Sequence, residues 1–163
     1  MLEDLDRLGP ILTVMVTAGV VILAGLVVPR RYSKATSGIA LAGLVGSAWW
    51  LVTLILRDRQ ASFFSDSMAL DNFSIFFMFF FIGVAAAVII ASLDYVDQYG
   101  AHQPEFFALI LIATSGMMLL SGARDLVTIF VSLELTSITQ FILAGFLRDD
   151  KGSEAAIKYL LLG

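Results

Sequence analysis

The stretch DNFSIFFMFFFIGVAAAVIIASL, from Asp71 to Leu93, decides the fold class. Asp71 is its only charged residue, and everything after it is apolar or small. Crossing a bilayer core takes roughly 20 apolar residues of helix at about 1.5 Å each, so this run is long enough to span. Four further stretches meet the same test: Pro10–Pro29, Thr36–Leu56, Pro104–Gly122 and Leu126–Leu147. A sixth helix begins at Ser153 and reaches Gly163 after about three turns. The expected fold is all-α: a polytopic transmembrane helical bundle with five full spans plus the start of a sixth.

Composition leads to the same class. Of 163 residues, 59% are apolar and 15% charged, and mean hydropathy is +0.91. A soluble domain carries roughly 45–50% apolar and about 25% charged residues. The surplus apolar surface has no place in water on a chain this short, so the lipid bilayer is its natural surrounding. Disordered, coiled-coil, collagen-like and disulfide-rich secreted classes are excluded by the same figures. The net charge of −4, without a basic patch, argues against a nucleic-acid partner. Zero cysteines rule out disulfides, iron–sulfur ligation and thiol catalysis, and the single His102 argues against a histidine-based metal site.

The connections Arg30–Ala35, Arg57–Leu70, Asp94–Gln103, Ala123–Asp125 and Arg148–Gly152 are short. Short connections make consecutive helices antiparallel neighbours, so residues 1–163 read as one transmembrane domain without a soluble part. Gly38, Ala42 and Gly46 on the second span suit close helix contact. The first span follows an acidic leader (Glu3, Asp4, Asp6) and is followed at once by a second, which reads as a permanent helix and not a signal peptide. Arg30, Arg31 and Lys34 fill the first loop without an acid, and Arg148 and Lys151 lie on the same side. Arg7, Arg57, Arg59 and Arg124 lie opposite, mostly beside acids. The undiluted first loop sets the expected orientation: that loop cytoplasmic, the N-terminus on the non-cytoplasmic side. The early stop of the sixth helix reads as a fragment, a split subunit or a partial chain.

Most charges sit at span edges, where structure explains them. Asp71 is expected to cap the third span, Arg124 and Asp125 to form a polar corner, and His102, Asp94 and Asp97 to be solvated loop residues. Glu134 is different. It lies eight residues beyond Leu126, about 12 Å into the fifth span. An ionised carboxylate there costs several kcal/mol unless it meets a partner or water. Two readings stand: a protonated or paired glutamate gluing helices together, or a carboxyl that binds and releases a proton. Ser137, three residues on, shares its face. Lys158, on the sixth helix, is the second candidate; Ser153 would cap that helix, and Glu154 sits at i−4 in the favourable order for pairing. On its own this pair is more often a surface or snorkelling feature. Antiparallel packing of the fifth and sixth helices leaves Glu134 and Lys158 about 12 Å apart in depth, beyond direct contact.

Four strings now carry a resemblance: Asp71-Asn-Phe-Ser-Ile-Phe-Phe, Pro104-Glu-Phe-Phe-Ala-Leu-Ile-Leu, Ser132-Leu-Glu-Leu-Thr-Ser and Ser153-Glu-Ala-Ala-Ile-Lys-Tyr-Leu-Leu. In this order and spacing they resemble the N-terminal part of the subunit N family of NADH-quinone oxidoreductases, antiporter-like membrane subunits of respiratory complex I. The likeness runs from about Asp71 to Gly163; the first two spans match in hydropathy alone. It implies a proton-translocating subunit in the cell (inner) membrane, working among other membrane subunits of a multi-subunit respiratory-chain assembly. It implies no cofactor on this chain, with FMN, iron–sulfur clusters and quinone on partner subunits. Glu134 matches the family's glutamate of the fifth helix and Lys158 the lysine of the sixth, as a proton relay, with Glu154 and Ser137 accessory. Two alternatives are a sodium/proton antiporter or membrane-hydrogenase subunit of the same superfamily, and a non-transporting structural helix bundle.

Overall fold

The structure is a computed structural model and describes residues 2–27, 34–57, 61–64, 66–98, 102–146 and 150–162. Helices α1 (Leu2–Val27), α2 (Lys34–Leu56), α3 (Asn72–Gln98), α4 (Gln103–Gly122), α5 (Leu126–Ala144) and α6 (Asp150–Leu162) follow one another, with strands β1 (Ala61–Phe63) and β2 (Met68–Leu70) between α2 and α3. Five of the helices, α1 to α5, are long and apolar enough to cross a membrane. The expected helical membrane bundle is what forms.

Helix α4 is the centre. It packs against α1, α2, α3 and α5, whereas α6 leans on α5. Phe107, Leu111 and Met118 of α4 are fully buried against a core that includes Val14 and Val21 of α1, Leu44 and Leu51 of α2, and Met78 and Ile89 of α3. Among helices in lipid such contacts stabilise through close packing and not through expulsion of water. Small residues bring α1 and α2 together: a Cβ on Gly43 would run into Thr17, and one on Gly9 into the Trp50 indole. The buried Ser47 hydroxyl donates to the Pro10 carbonyl at 2.8 Å, tying the two helices in mid-span.

The start of α3 is capped as expected. Ser74 N–H donates to the Asp71 carboxylate at 2.8 Å, and Asp71 N–H donates back to the Ser74 hydroxyl at 2.9 Å, a reciprocal cap that satisfies two otherwise free amides.

Several expected boundaries shift. Pro10 lies inside α1 and does not mark its edge; a proline forfeits one helical bond, and the acidic residues before it suit the positive end of the helix. Helix α3 runs on to Gln98, so Asp94 and Asp97 belong to its last turns and not to a loop; no glycine or proline interrupts the chain between Leu93 and Gly100. Helix α5 stops at Ala144 with Gly145 as its C-cap, short of Leu147. Helix α6 starts at Asp150, which supplies the first-turn acid, so Ser153 is interior and does not cap it. Gly38 and Ala42 are exposed: the buried stripe of α2 is Ala40, Leu44, Ser47, Leu51 and Leu54, roughly 200° around the helix from Gly38. The connection before α3 holds the hairpin β1–β2, which the sequence did not suggest. Pro29, Arg30, Arg31, Arg59, Leu147, Arg148 and Gly163 lie outside the described residues.

Candidate functional site

Helix α5 carries the intramembrane glutamate, and its first turn is held by one carboxylate. Asp125 accepts from Thr128 N–H at 2.8 Å through one oxygen and from the Thr128 hydroxyl at 2.7 Å through the other. These bonds, led by the Thr128 amide and joined by the Ser67 hydroxyl, hold the Asp125 carboxyl below the usual carboxylate range.

Along α5 the hydroxyls of Ser132, Thr136 and Thr139 donate to the carbonyls of Thr128, Ser132 and Leu135 at 2.7, 2.9 and 2.6 Å. They satisfy themselves locally, as hydroxyls in apolar helices do. Their face meets α4 where Gly116 leaves room: a Cβ there would come within 2.5 Å of the Thr136 hydroxyl and 3.2 Å of the Ser132 carbonyl. Much of the polar character of this helix is therefore packing against α4.

Glu134 points elsewhere. Two residues from both Ser132 and Thr136, it sits about 160–200° around the helix from the α4 seat. It is exposed on the surface of this chain, as are Phe130, Val131 and Ile138 beside it, and Ser137 is half-buried. Among the described residues Glu134 has no ion-pair or hydrogen-bond partner. Only Ser132 and Thr139 of α5 are buried.

Helix α6 returns alongside α5. The Tyr159 hydroxyl donates to the Gln140 side-chain oxygen at 2.8 Å, and the Tyr159 ring meets Phe141 edge-on at 5.2 Å. Gly145 permits the approach, since a Cβ there would stand 2.8 Å from that of Ala156. Lys158 pairs with Glu154 at 2.5 Å, both side chains about two-thirds exposed (67% and 64%). With Tyr159 level with Gln140 and Phe141, Lys158 lies about 10 Å along the axis from Glu134. The structure thus joins Lys158 to Glu154 and leaves Glu134 apart from both. Tyr159 and Gln140, which join the two helices, were not among the expected site residues.

No protein-family model matches the chain. NADH-quinone oxidoreductase subunit N of Trichlorobacter lovleyi is 38% identical over 161 residues, which cover 98% of this chain and 33% of the relative. NAD(P)H-quinone oxidoreductase subunit 2 of Synechococcus elongatus is 40% identical over 151 residues, covering 92% of this chain and 29% of the relative. Among solved structures, a chain of respiratory complex I from Thermus thermophilus with bound aureothin matches with a TM-score of 0.74 and 27% identity. That match covers 94% of this chain and 32% of the solved one. The similarity includes α1 and α2, beyond the span of the four quoted strings. The chain spans about a third of the length of the relatives it matches.

Proposed function

We propose that this chain works as a membrane subunit, or part of one, of a proton-translocating NADH-quinone oxidoreductase of the complex I type, and that Glu134 and Lys158 relay protons. The observation that carries the reading is the position of Glu134. It is a carboxyl in the middle of a span, turned away from the bundle that holds its helix, on a chain 38% identical to subunit N over nearly its whole length. An ionisable group at that depth is costly unless it faces protein or water. A carboxyl can pass between neutral and charged forms, so it can take a proton from one side and release it toward another. Lys158, with Glu154 adjusting its charge, is the next station. The gap of about 10 Å to Glu134 is bridged by water or by an ionisable side chain, with Ser137 as a hydroxyl on the Glu134 face.

The electron-transfer chemistry belongs to partner subunits. With no cysteine and one histidine, this chain lacks a ligand set for iron–sulfur clusters, and FMN, clusters and quinone are assigned to those partners. The partners at α5 and α6 are other membrane segments of the same assembly. The location is the cell (inner) membrane, multi-pass, with the N-terminus on the non-cytoplasmic side.

The test is Glu134→Gln in the assembled complex. NADH–quinone reduction and assembly are expected to persist while coupled proton transfer drops to background. Proton transfer at the wild-type ratio would overturn the reading.

A further inference from the structure

Helix α5 buries the smallest share of its length among the five spans and packs against α4 along one side, so polar contacts outside that seam bear on its rotation and depth. Those contacts gather at its first turn. The hairpin β1–β2 pairs in the register Ala61–Leu70, Ser62–Ala69 and Phe63–Met68, and its second strand reaches past the pair to the α4–α5 corner. Met68 bridges to Ala123 in antiparallel fashion, and Arg124 N–H donates to the Ser67 carbonyl at 2.9 Å. Gly122 lets the strand come close, since a Cβ there would lie 2.9 Å from the Ala69 carbonyl. The Arg124 guanidinium reaches the Asp66 carboxylate at 3.6 Å. Met68, Ala69 and Leu70 are buried, so the strand is anchored in the core.

The hairpin turn holds Phe64 at φ 51° and Asp66 at φ 69°, a region unfavourable for residues with a side chain and most so for a bulky one. Such a conformation persists where surrounding contacts hold it. Here those contacts are the anchored strand on one side and the corner on the other. Leu70 leads directly into Asp71, the cap of α3. One short strand therefore ties the start of α3 to the start of α5.

We propose that the hairpin and the 122–125 corner form a latch that sets the rotation and depth of α5, with Asp125 and Ser67 as positioning residues for Glu134. The inference rests on the proton-relay reading of Glu134. Asp125 is the junction: it caps α5 through Thr128, and the Ser67 hydroxyl of the hairpin favours its charged form. Glu134 lies nine residues on, about 13–14 Å away along a continuous helix, and on either side of it Ser132 and Thr136 rest on Gly116. The latch and the Gly116 seat are two separate points on one rigid rod. Together they fix which way Glu134 points; with the seat alone, the rod pivots.

The test uses the complex that contains the full subunit, reading protons moved per NADH oxidised alongside Glu134→Gln. Asp125→Ala is expected to lower this ratio about twofold, in line with the roughly fivefold population shift that loss of an N-cap produces, while quinone reduction continues. Asp125→Asn keeps the cap acceptor and can donate to the two hydroxyls, so it is expected to restore a near wild-type ratio. Ser67→Ala should give a smaller loss than Asp125→Ala. If Glu134→Gln abolishes transfer but Asp125→Ala keeps the wild-type ratio, the latch has no positioning role and the relay reading stands. If Asp125→Asn falls as far as Asp125→Ala, charge and not placement is at work, and the latch is again overturned. If Glu134→Gln itself keeps the wild-type ratio, the relay reading fails first and the latch falls with it. Should Asp125→Ala fail to assemble, a wild-type ratio in Ser67→Ala overturns the proposal.

Discussion

Helices α4 and α5 are neighbours of nearly equal length and similar apolar character, yet twelve of the 20 residues of α4 are buried and only two of the 19 of α5. Helix α4 is the axle of the bundle, closed on every side by α1, α2, α3 and α5. Helix α5 rests on it along one polar seam and turns Phe130, Val131, Glu134 and Ile138 outward. Apolar length alone says that a helix crosses; it does not say what the helix faces. The carboxylate supplies the difference. An outward face made of valine and isoleucine alone would be at home in lipid, but Glu134 in the same face would cost several kcal/mol there. On the proposed reading that face meets protein or water in the complete assembly.

The sharpest way to break this contrast is at its seam. Gly116→Val is expected to have the largest structural effect, because its side chain would meet the Thr136 hydroxyl and two α5 backbone atoms, which cannot move aside as a flexible side chain can. Overpacking of this kind costs about 1–3 kcal/mol or more, and α5 has few other contacts to hold it. The expected outcome is intact α1–α4 packing with α5 and α6 released, seen as new protease cleavage near residues 122–126. An unchanged cleavage pattern would mean that something other than the seam holds α5.

A second comparison tests the burial difference directly. Leu111→Ala in the core of α4 is expected to destabilise by about 2–5 kcal/mol. Val131→Ala on the outer face of α5, in the chain by itself, should change stability by no more than about 0.5 kcal/mol. Thermal unfolding in detergent reads both. Repeating Val131→Ala in the assembled complex sharpens the point: a cost that appears only there would mark the α5 face as covered by a partner helix. An equal cost in both settings would mean the face is already packed within this chain.

The same two helices explain what could be read in advance. The number of spans and their order follow from apolar length, which survives any arrangement of the helices in lipid. The Asp71 cap was legible because a capping residue acts on its own helix within a few positions. What escaped were features that need a second element. Gly116 matters because Thr136 arrives opposite it, and Gly145 because Ala156 does; neither partner can be identified from spacing along one helix. Gly38 and Ala42 were the wrong small residues, since small size marks a possible contact while the stripe through Ala40, Leu44 and Ser47 marks the actual one. The hairpin was hidden for a related reason. Its strands are three residues each, too short to show alternation, and they persist by pairing with each other and with the α4–α5 corner. For the candidate site, the spacing of Glu154 and Lys158 predicted their pairing, and the depth of Glu134 followed from counting residues. The outward direction of Glu134 required knowing which face of α5 rests on α4.

The smallest effect expected concerns the cap at the root of α5, and its sign can be worked out. Asp125 is held below its ordinary value of 3.8, chiefly by the Thr128 amide. A carboxyl lowered on folding stabilises the folded state fully above its unfolded value, and that stabilisation disappears as pH falls through the folded value. Comparing wild type with Asp125→Asn separates this charge contribution from the cap geometry, which asparagine retains. At neutral pH the wild-type chain should unfold at a slightly higher temperature than the variant, with the gap constant until the pH drops below about 4 and then closing. Because the carboxylate lies at the water-facing end of the helix, added salt should narrow the gap at neutral pH as well. A gap that widens toward acid would mean that burial governs Asp125, and its bonds to Thr128 would then contribute less than their distances of 2.7 and 2.8 Å suggest.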